Sequence, residues 1–356
     1  MKIYVYAICK NESAFAARWL KSMSEADGVY VLDTGSTDDT VKILRDGGAI
    51  VHEQIISPWR FDSARNLSLS FVPEDADICV STDLDEVLRP GWRNALEAAW
   101  RPGTMQARYP FIWSFNPDGS PGVMFWIDKI HARFDFTWIN PVHEIIKYTG
   151  SEPLCFVTVN DICAEHHADN SKPRGQYLPL LELAVTENPD NDRNMHYLGR
   201  EYMYYRRWED CIATLMHHLS MPAATWDDER AASMRYIAKS YAALGNNQEA
   251  ERWHIKAAAQ APHQREPWID YAMFEYSQKN WAAVLSLSQR ALKITKRPLS
   301  YICEAVSWGD VPHDLAAIAC YHLGMKEMAI FYCIAAAEIT KDNERLKRNL
   351  SIYKQM

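Results

Sequence analysis

The chain lacks the features that mark several large classes of protein. In its 356 residues no apolar run approaches the roughly 20 residues of a membrane span, so no membrane insertion is expected. The apolar stretch from Ile3 to Cys9 is too short for a secretory signal core and meets Lys10 and Glu12 at once, so export is not expected either. No block of like charge is present, and 38 Lys plus Arg stand against 46 Asp plus Glu, a net charge of −8. A nucleic-acid backbone is therefore a poor partner. The eight cysteines include no CxxC pair and fall mostly inside apolar runs. They read as buried, reduced thiols of a cytoplasmic protein. CKNES, at Cys9 to Ser13, contains no glycine. A nucleotidyltransferase would need a glycine- and basic-rich loop at that place, which counts against this class.

Apolar content, by contrast, is ample. At 48% hydrophobic and 12% aromatic the chain can pack two folded domains. The first half alternates strand and helix signals: strands at 3–9, 29–32, 49–52 and 77–81, and helices at 13–24, 37–46 and 62–71, with Ser36 or Thr37 as N-cap of the second. Repeated strand then helix implies a doubly wound, mostly parallel sheet. From Thr104 to His167 short strands and turns take over, with NPDG at 116–119 as a hairpin or loop signal. Beyond about Pro179 the strand signals vanish. A helical repeat of about 34 residues appears, with units beginning near Asp192, Ala231, Arg265 and Asp310. Small residues such as Gly199, Ala238, Ala257, Ala272, Ala291, Ala329 and Ala336 recur where paired helices approach closely. The expected architecture is an α/β domain over 1–170, a linker or irregular helix over 171–190 where SKPRG stands, and an all-α solenoid over 191–356.

Three acidic segments dominate the first ninety residues: VYVLDTGSTDDT at 29–40, WRFDSARN at 59–66 and STDLDEVLRPGW at 81–92. Each follows an apolar run of strand length, which places carboxylates at the carboxyl ends of neighbouring parallel strands, where open α/β sheets bind ligands. Asp83 and Asp85, one residue apart, suit a divalent cation, and Mg²⁺ and Mn²⁺ accept a few carboxylates together with phosphate oxygens. An isolated DxD is more often a solvated turn, and the strand-end context is what favours metal. Glu86 is read as support for that site or as a cap for a helix opening near Pro90.

Taken together, KNE after the first strand, DTGSTDDT, FDSARN, TDLDE and TWINPVHE at 137–144 resemble the GT-A domain of family 2 glycosyltransferases, in the bacterial branch that carries tetratricopeptide repeats. Bacterial S-glycosyltransferases that modify glycocin peptides are similar in their two-part build. The resemblance implies a GT-A, Rossmann-like fold and a metal-dependent, inverting transfer of a hexose from a nucleotide-sugar, UDP-sugar favoured, to a peptide, protein or glycan acceptor. By position, Asp33 and Thr34 match residues that contact the nucleoside, and Asp83 and Asp85 those that hold metal and diphosphate. Arg65 matches an arginine that faces the phosphates, with a structural pairing to Asp62 or Asp33 as the alternative. Glu144 is the candidate base, with His143 orienting it or reaching the metal. Both can serve one site only in a loop or helix turn, because neighbours on a strand point to opposite faces. His166 or His167 would complete the metal shell. The matching pair His217 and His218 is read as surface or packing.

Other residues stay open. Trp113 and Trp126 are the best candidates for a sugar or acceptor platform within an aromatic stretch that is mostly core. Lys129 and Arg133 bind diphosphate or solvate a turn. Asp38 and Asp39 are read as charges complementing a helix N-terminus. The repeats would present the acceptor, and their edges also offer a surface for homodimerisation. The rival reading is an interaction scaffold whose α/β domain is a degenerate nucleotide-binding domain, which nucleotide binding without turnover would favour.

Overall fold

A computed structural model describes residues 1–116, 118–169 and 175–356. The chain forms two compact units, Met1–Ala184 and Val185–Met356. Residues 170–174, which carry most of SKPRG, and Pro117 of the NPDG turn lie outside the described residues.

The first unit opens with β1 (Ile3–Cys9), α1 (Ser13–Ser22), β2 (Gly28–Asp33), α2 (Thr40–Asp46), β3 (Ile50–Glu53), α3 (Phe61–Ser70) and β4 (Ile78–Ser81). It continues through β5 (Glu86–Leu88), α4 (Trp92–Ala99), β6 (Gln106–Ile112), β7 (Met124–Ala132), β8 (Phe136–Ile139), β9 (Ile145–Tyr148), β10 (Phe156–Thr158) and β11 (Ala164–His166). Helix α5 (Tyr177–Glu187) carries the division between the units. The main sheet runs β3-β2-β1-β4-β7-β6-β11-β5, with β10 on β6, while β8 and β9 form a separate hairpin. The nearly unbroken apolar run of β1 suits a strand covered on both faces, and β2 and β4 flank it in parallel, Cys9 opposite Asp33 and Tyr6 opposite Ser81. Among the described residues of this sheet, only the pairings of β7 with β4 and β6, and of β5 with β11, are antiparallel. The mostly parallel α/β sheet read from the sequence is therefore what forms.

Helices cover both faces. Trp19 of α1 and Met23 just after it, Leu44 of α2 and Trp92 and Leu96 of α4 join Ile3, Val5 and Val80 in one core layer. Tyr6, Leu69, Cys79 and Trp138 make the opposite layer. Trp19 and Trp92 are fully buried, and truncating either to Ala would cost about 3–5 kcal/mol. Trp19 also reaches the site, because its Nε1 donates to Thr82 Oγ1 at 3.0 Å and so pins the start of the acidic turn after β4.

Three local expectations are corrected. Helix α2 begins at Thr40 rather than near 37 and is not capped by Ser36 or Thr37: the Asp38 carboxylate accepts from Thr40 N at 3.0 Å and Ser13 N at 3.1 Å. Glu86 does not cap α4. Glu25 does, accepting from Gly91 N at 2.6 Å and Arg93 N at 3.0 Å. The FDSARN segment is not at a strand end but on α3, where Asp62 pairs with Arg60.

The second unit is all helix: α6 (Asp192–Tyr204), α7 (Trp208–Ser220), α8 (Asp227–Ala243), α9 (Asn247–Gln260), α10 (Glu266–Ser277), α11 (Trp281–Leu292), α12 (Ala305–Trp308), α13 (Val311–His322), α14 (Lys326–Ile339) and α15 (Glu344–Lys354). Four hairpins, α6/α7, α8/α9, α10/α11 and α13/α14, turn through a left-handed residue at the same place, Arg206, Gly245, Lys279 and Gly324. Asn246 and Asn280 then cap the second helix, each accepting from the backbone N–H three residues on. Gly199 is required by close approach: a Cβ there would stand 2.4 Å from Leu215 Cγ. The helical repeats read from the sequence thus appear as hairpins stacked on fully buried alanines, among them Ala238, Ala257, Ala272, Ala291, Ala317 and Ala336.

Candidate active site

The loops after β1 and β2 are built as one piece. Asn11 Oδ1 accepts from Thr37 N at 2.7 Å, Ser36 Oγ accepts from Asn11 N at 2.8 Å, and Thr40 Oγ1 accepts from Glu12 N at 2.7 Å. Asp33, buried at the end of β2, accepts from Gly35 N and Ser36 N at 2.9 Å and from the Ser36 hydroxyl. That turn passes through Gly35 at φ +109°, where a side chain would be strained. Thr34 is also buried, its hydroxyl donating to Cys9 O at 3.0 Å. Asp33 and Thr34 make no hydrogen bond to Arg65, Asp83 or Glu144 among the described residues. The link between the two groups is β1, which lies between β2 and β4.

On the other side of β1, a charged network joins residues far apart in the chain. Arg65, 4% exposed on α3, donates from Nε to Glu144 Oε1 at 2.5 Å and from Nη2 to Asp83 Oδ1 at 2.8 Å. Its guanidinium stands 4.9 Å from the centre of the Trp138 ring. Arg65 therefore pairs with neither Asp62 nor Asp33. Lys129 of β7 donates to Asp83 Oδ2 at 3.1 Å and Glu86 Oε1 at 2.8 Å. Glu86 Oε2 in turn accepts from Asp83 N at 3.0 Å. Burial works against the charged forms of Asp83 and Lys129, yet their partners outweigh it. Arg65 and Lys129 hold the Asp83 carboxyl well below its usual range, and Asp83 and Glu86 push Lys129 up to about 12. Glu86 is raised by burial.

Asp85 faces a different partner. His166 Nε2 stands 3.3 Å from Asp85 Oδ2, and His166 Nδ1 lies 3.1 Å from the Trp113 carbonyl. A carbonyl only accepts, so Nδ1 carries a proton. The His166 ring stacks on Trp113 with centroids 4.3 Å apart. His167 turns elsewhere, with Nε2 3.4 Å from Glu165 Oε2 and its ring over Phe115. Only its backbone N–H meets Asp85, donating to the Asp85 carbonyl at 2.8 Å.

Glu144 and His143 precede β9 in a bend, with His143 at φ +50°. The bend satisfies the condition that these neighbours escape strand alternation. The His143 ring packs 5.7 Å from that of Tyr177. Trp113 is 49% exposed, while Trp126 lies beside the Arg108 guanidinium. Arg133 donates to the carbonyls of Val72 and Pro73 and so braces a loop. Lys129 is the site residue for which the sequence offered no decision. Its place follows from the antiparallel pairing of β7 with β4, which sets Ile130 opposite Val80.

The support beneath Arg65 is a buried relay. Trp138 Nε1 donates to Tyr6 Oη at 2.8 Å, and Tyr6 Oη lies 2.8 Å from His131 Nε2. His131 Nδ1 meets the Ala132 carbonyl at 2.7 Å. Burial drives His131 down to about 4. It is therefore a neutral acceptor at physiological pH, with Tyr6 as its donor.

No family model matches the chain. Over 59 residues it is 48% identical to an uncharacterised glycosyltransferase of Rickettsia prowazekii (strain Madrid E). That stretch is 16% of this chain and 19% of the relative, so the chain spans about a fifth of that relative's length. Among solved structures, similarity is found to pilF of Pseudomonas aeruginosa, at 10% identity and a TM-score of 0.38, covering 50% of this chain and 72% of that one. A thermophilic tetratricopeptide-repeat protein of Thermus thermophilus is 13% identical with a TM-score of 0.37, covering 50% and 89%. The solenoid assignment rests on the hairpins described above. No helix among the described residues is long and apolar enough to cross a membrane.

Proposed function

We propose that the first unit is a GT-A-type glycosyltransferase domain that moves a hexose from a nucleotide-sugar, UDP-sugar favoured, to an acceptor side chain or glycan. The observation that carries this reading is Arg65 bridging Asp83 and Glu144 beside the Asp85–His166 pair. One basic side chain thus ties the acidic turn after β4 to the bend before β9.

A divalent cation fits the residues present. With Nδ1 of a neutral His166 donating to Trp113 O, Nε2 and the Asp85 carboxylate are two acceptors facing each other at 3.3 Å. Such a pair needs a proton or a cation between its members, and an imidazole whose far nitrogen is held by a carbonyl is the usual form of a metal ligand. Asp85 and His166 would hold Mn²⁺ or Mg²⁺, with Asp83, whose oxygens each keep a second lone pair, as a further ligand. When bound, the cation stabilises negative charge on the departing diphosphate.

The chain's own residues supply the rest. Arg65 Nη1 is buried without a partner, a donor left over for a phosphate oxygen. Asp33 and Thr34, buried at the end of β2, would contact the nucleoside. Glu144 Oε1 is held by Arg65, and Oε2 makes no hydrogen bond among the described residues, which leaves it to take the acceptor's proton as the anomeric carbon is attacked. Attack from the face opposite the diphosphate gives inversion. The exposed Trp113 face is a platform for a sugar ring, and the repeats bind the acceptor.

The first experiment is nucleoside diphosphate release from a panel of UDP- and GDP-sugars with Mn²⁺ or Mg²⁺. Metal-dependent turnover of one donor, lost in Asp85→Ala, is expected. Donor binding without turnover under every metal would replace this reading with the scaffold reading.

A further inference from the structure

Within the second unit, three consecutive helices bring together residues that no step above uses. His196 on α6 and His218 on α7 are completely buried, and Glu229 on α8 is 5% exposed. His217, the neighbour of His218, is exposed. One ligand-type atom on each of the three buried residues lies within 4.8 Å of those on the other two. His218 Nε2 is 3.4 Å from Glu229 Oε1. Two ligands bound to one tetrahedral metal at about 2.0–2.1 Å stand ~3.4 Å apart, so this edge is already at coordination length.

The surroundings orient these atoms. Ser233 Oγ, one turn beyond Glu229 on α8, is 2.7 Å from His196 Nδ1 and 3.0 Å from His218 Nδ1. A hydroxyl oxygen can accept from two donors. With both Nδ1 atoms protonated toward Ser233, both Nε2 lone pairs are left for a ligand. Neither Nε2 has a hydrogen-bond partner, although both are buried. Tyr301 donates to Glu229 Oε2 and fixes the carboxylate. Ligand imidazoles held at the far nitrogen and a ligand carboxylate held at its other oxygen are the arrangement that metal centres use. Arg200, stacked on Tyr197 and Tyr204, adds positive charge nearby, which the Glu229 carboxylate offsets.

We propose that His196, His218 and Glu229 bind a divalent transition-metal ion, zinc by ligand type, which ties the first hairpin of the solenoid to the helix that follows it. Two imidazoles and one carboxylate suit zinc and exclude magnesium or calcium, which take all-oxygen sets.

The test uses the full chain, stripped with chelator and titrated with Co²⁺, whose visible absorption reports tetrahedral coordination by nitrogen and oxygen. Asp85→Ala, which removes the proposed donor-site cation, should still take up one Co²⁺ per chain, displaced by Zn²⁺. His218→Asn should lose that uptake, and Ser233→Ala should weaken it on the order of 10- to 100-fold. Should His218→Asn fail to fold, Glu229→Gln keeps the Tyr301 hydrogen bond and the side-chain shape and must also lose the tetrahedral signal. Absence of Co²⁺ uptake by Asp85→Ala, or uptake unchanged in both His218→Asn and Glu229→Gln, would overturn the proposal and leave a metal-free hydrogen-bonded core. Failure of the transferase reading would alter none of these outcomes.

Discussion

Glu144→Gln separates a catalytic carboxylate from a structural one, because it keeps the oxygen that Arg65 binds and removes the charge. The Arg65 Nε to Oε1 contact, 2.5 Å in the structure, becomes a hydrogen bond from a cation to a neutral acceptor. Such bonds are weaker than charge-to-charge ones by about 1 kcal/mol. Arg65 keeps Asp83, so no buried charge is orphaned. For a unit of 184 residues a loss of ~1 kcal/mol lowers the melting temperature by about 2–4 °C. Proton transfer from the acceptor is a different matter, since losing a positioned base typically costs about 10²- to 10⁴-fold in rate. The assay is donor turnover with Mn²⁺ beside donor affinity by calorimetry and a melting curve. The expected result is a rate down by at least ~100-fold with affinity and melting temperature nearly unchanged. Turnover within a few fold of wild type would remove Glu144 from the chemistry. Rate, affinity and stability lost together would make it only the anchor of Arg65.

Other perturbations read different parts of the molecule. Arg65→Met strips the shared partner from Asp83 and Glu144 and should cost about 3–5 kcal/mol, read as a drop of about 6–20 °C in the first unit's unfolding; an unchanged melting curve would show the network contributes nothing. Gly199→Ala places a Cβ 2.4 Å from Leu215 Cγ, which should destabilise the second unit by about 1–3 kcal/mol in denaturant titration, with donor hydrolysis untouched. His131 makes stability depend on pH. Its folded value of about 4 lies below the ordinary 6.5, so the unfolded chain binds the extra proton first. The stability is complete above pH 6.5 and declines as pH falls toward 4, by on the order of 3 kcal/mol in all. His131→Gln should flatten that part of the profile, and a profile identical to wild type would refute the assignment.

The parts of the fold that were legible in the sequence are those in which one stretch of chain decides its own state. IYVYAIC is apolar on both faces and becomes the central strand. The small residues at Ala238, Ala257 and Ala291 announce helix pairs that pack on them. Boundaries failed where a side chain elsewhere settled them. Helix α2 starts late because residues 35–37 are occupied with Asp33 and Asn11, and α4 is capped by Glu25, 66 residues before Gly91. Of the site, the acidic turn after β4 and its candidate partners were readable as motifs. Which of them touch was not. The bridging of Asp83 to Glu144 by Arg65 spans three elements, and Lys129 enters only through strand register. The cluster of His196, His218 and Glu229 has no local spacing at all, since each residue comes from a different helix.

The charge balance of the site bears on why a cation belongs to the proposed reaction. Asp83, Asp85, Glu86 and Glu144 meet only two fixed cations, Arg65 and Lys129, among the described residues. Burial works against the charge on Glu86, and Asp85 has His166 as its side-chain partner among the described residues. A nucleotide diphosphate brings further negative charge, and within a few ångströms of Asp85 like charges repel by more than surface screening removes. Arg65 cannot compensate alone, because two of its nitrogens are already committed to carboxylates. A divalent cation at Asp85 and His166 changes the sign of the place where the phosphates would sit, and it does so without disturbing the Arg65 bridge. On this reading donor affinity should be strongly metal-dependent in the wild type. Asp85→Asn, which lowers the negative charge but weakens the metal ligand, should lose metal dependence while retaining weak metal-free binding. If Asp85→Asn instead bound donor as tightly as wild type and with the same metal requirement, the cation would have to be held elsewhere, and the pairing of Asp85 with His166 would be no more than a surface contact.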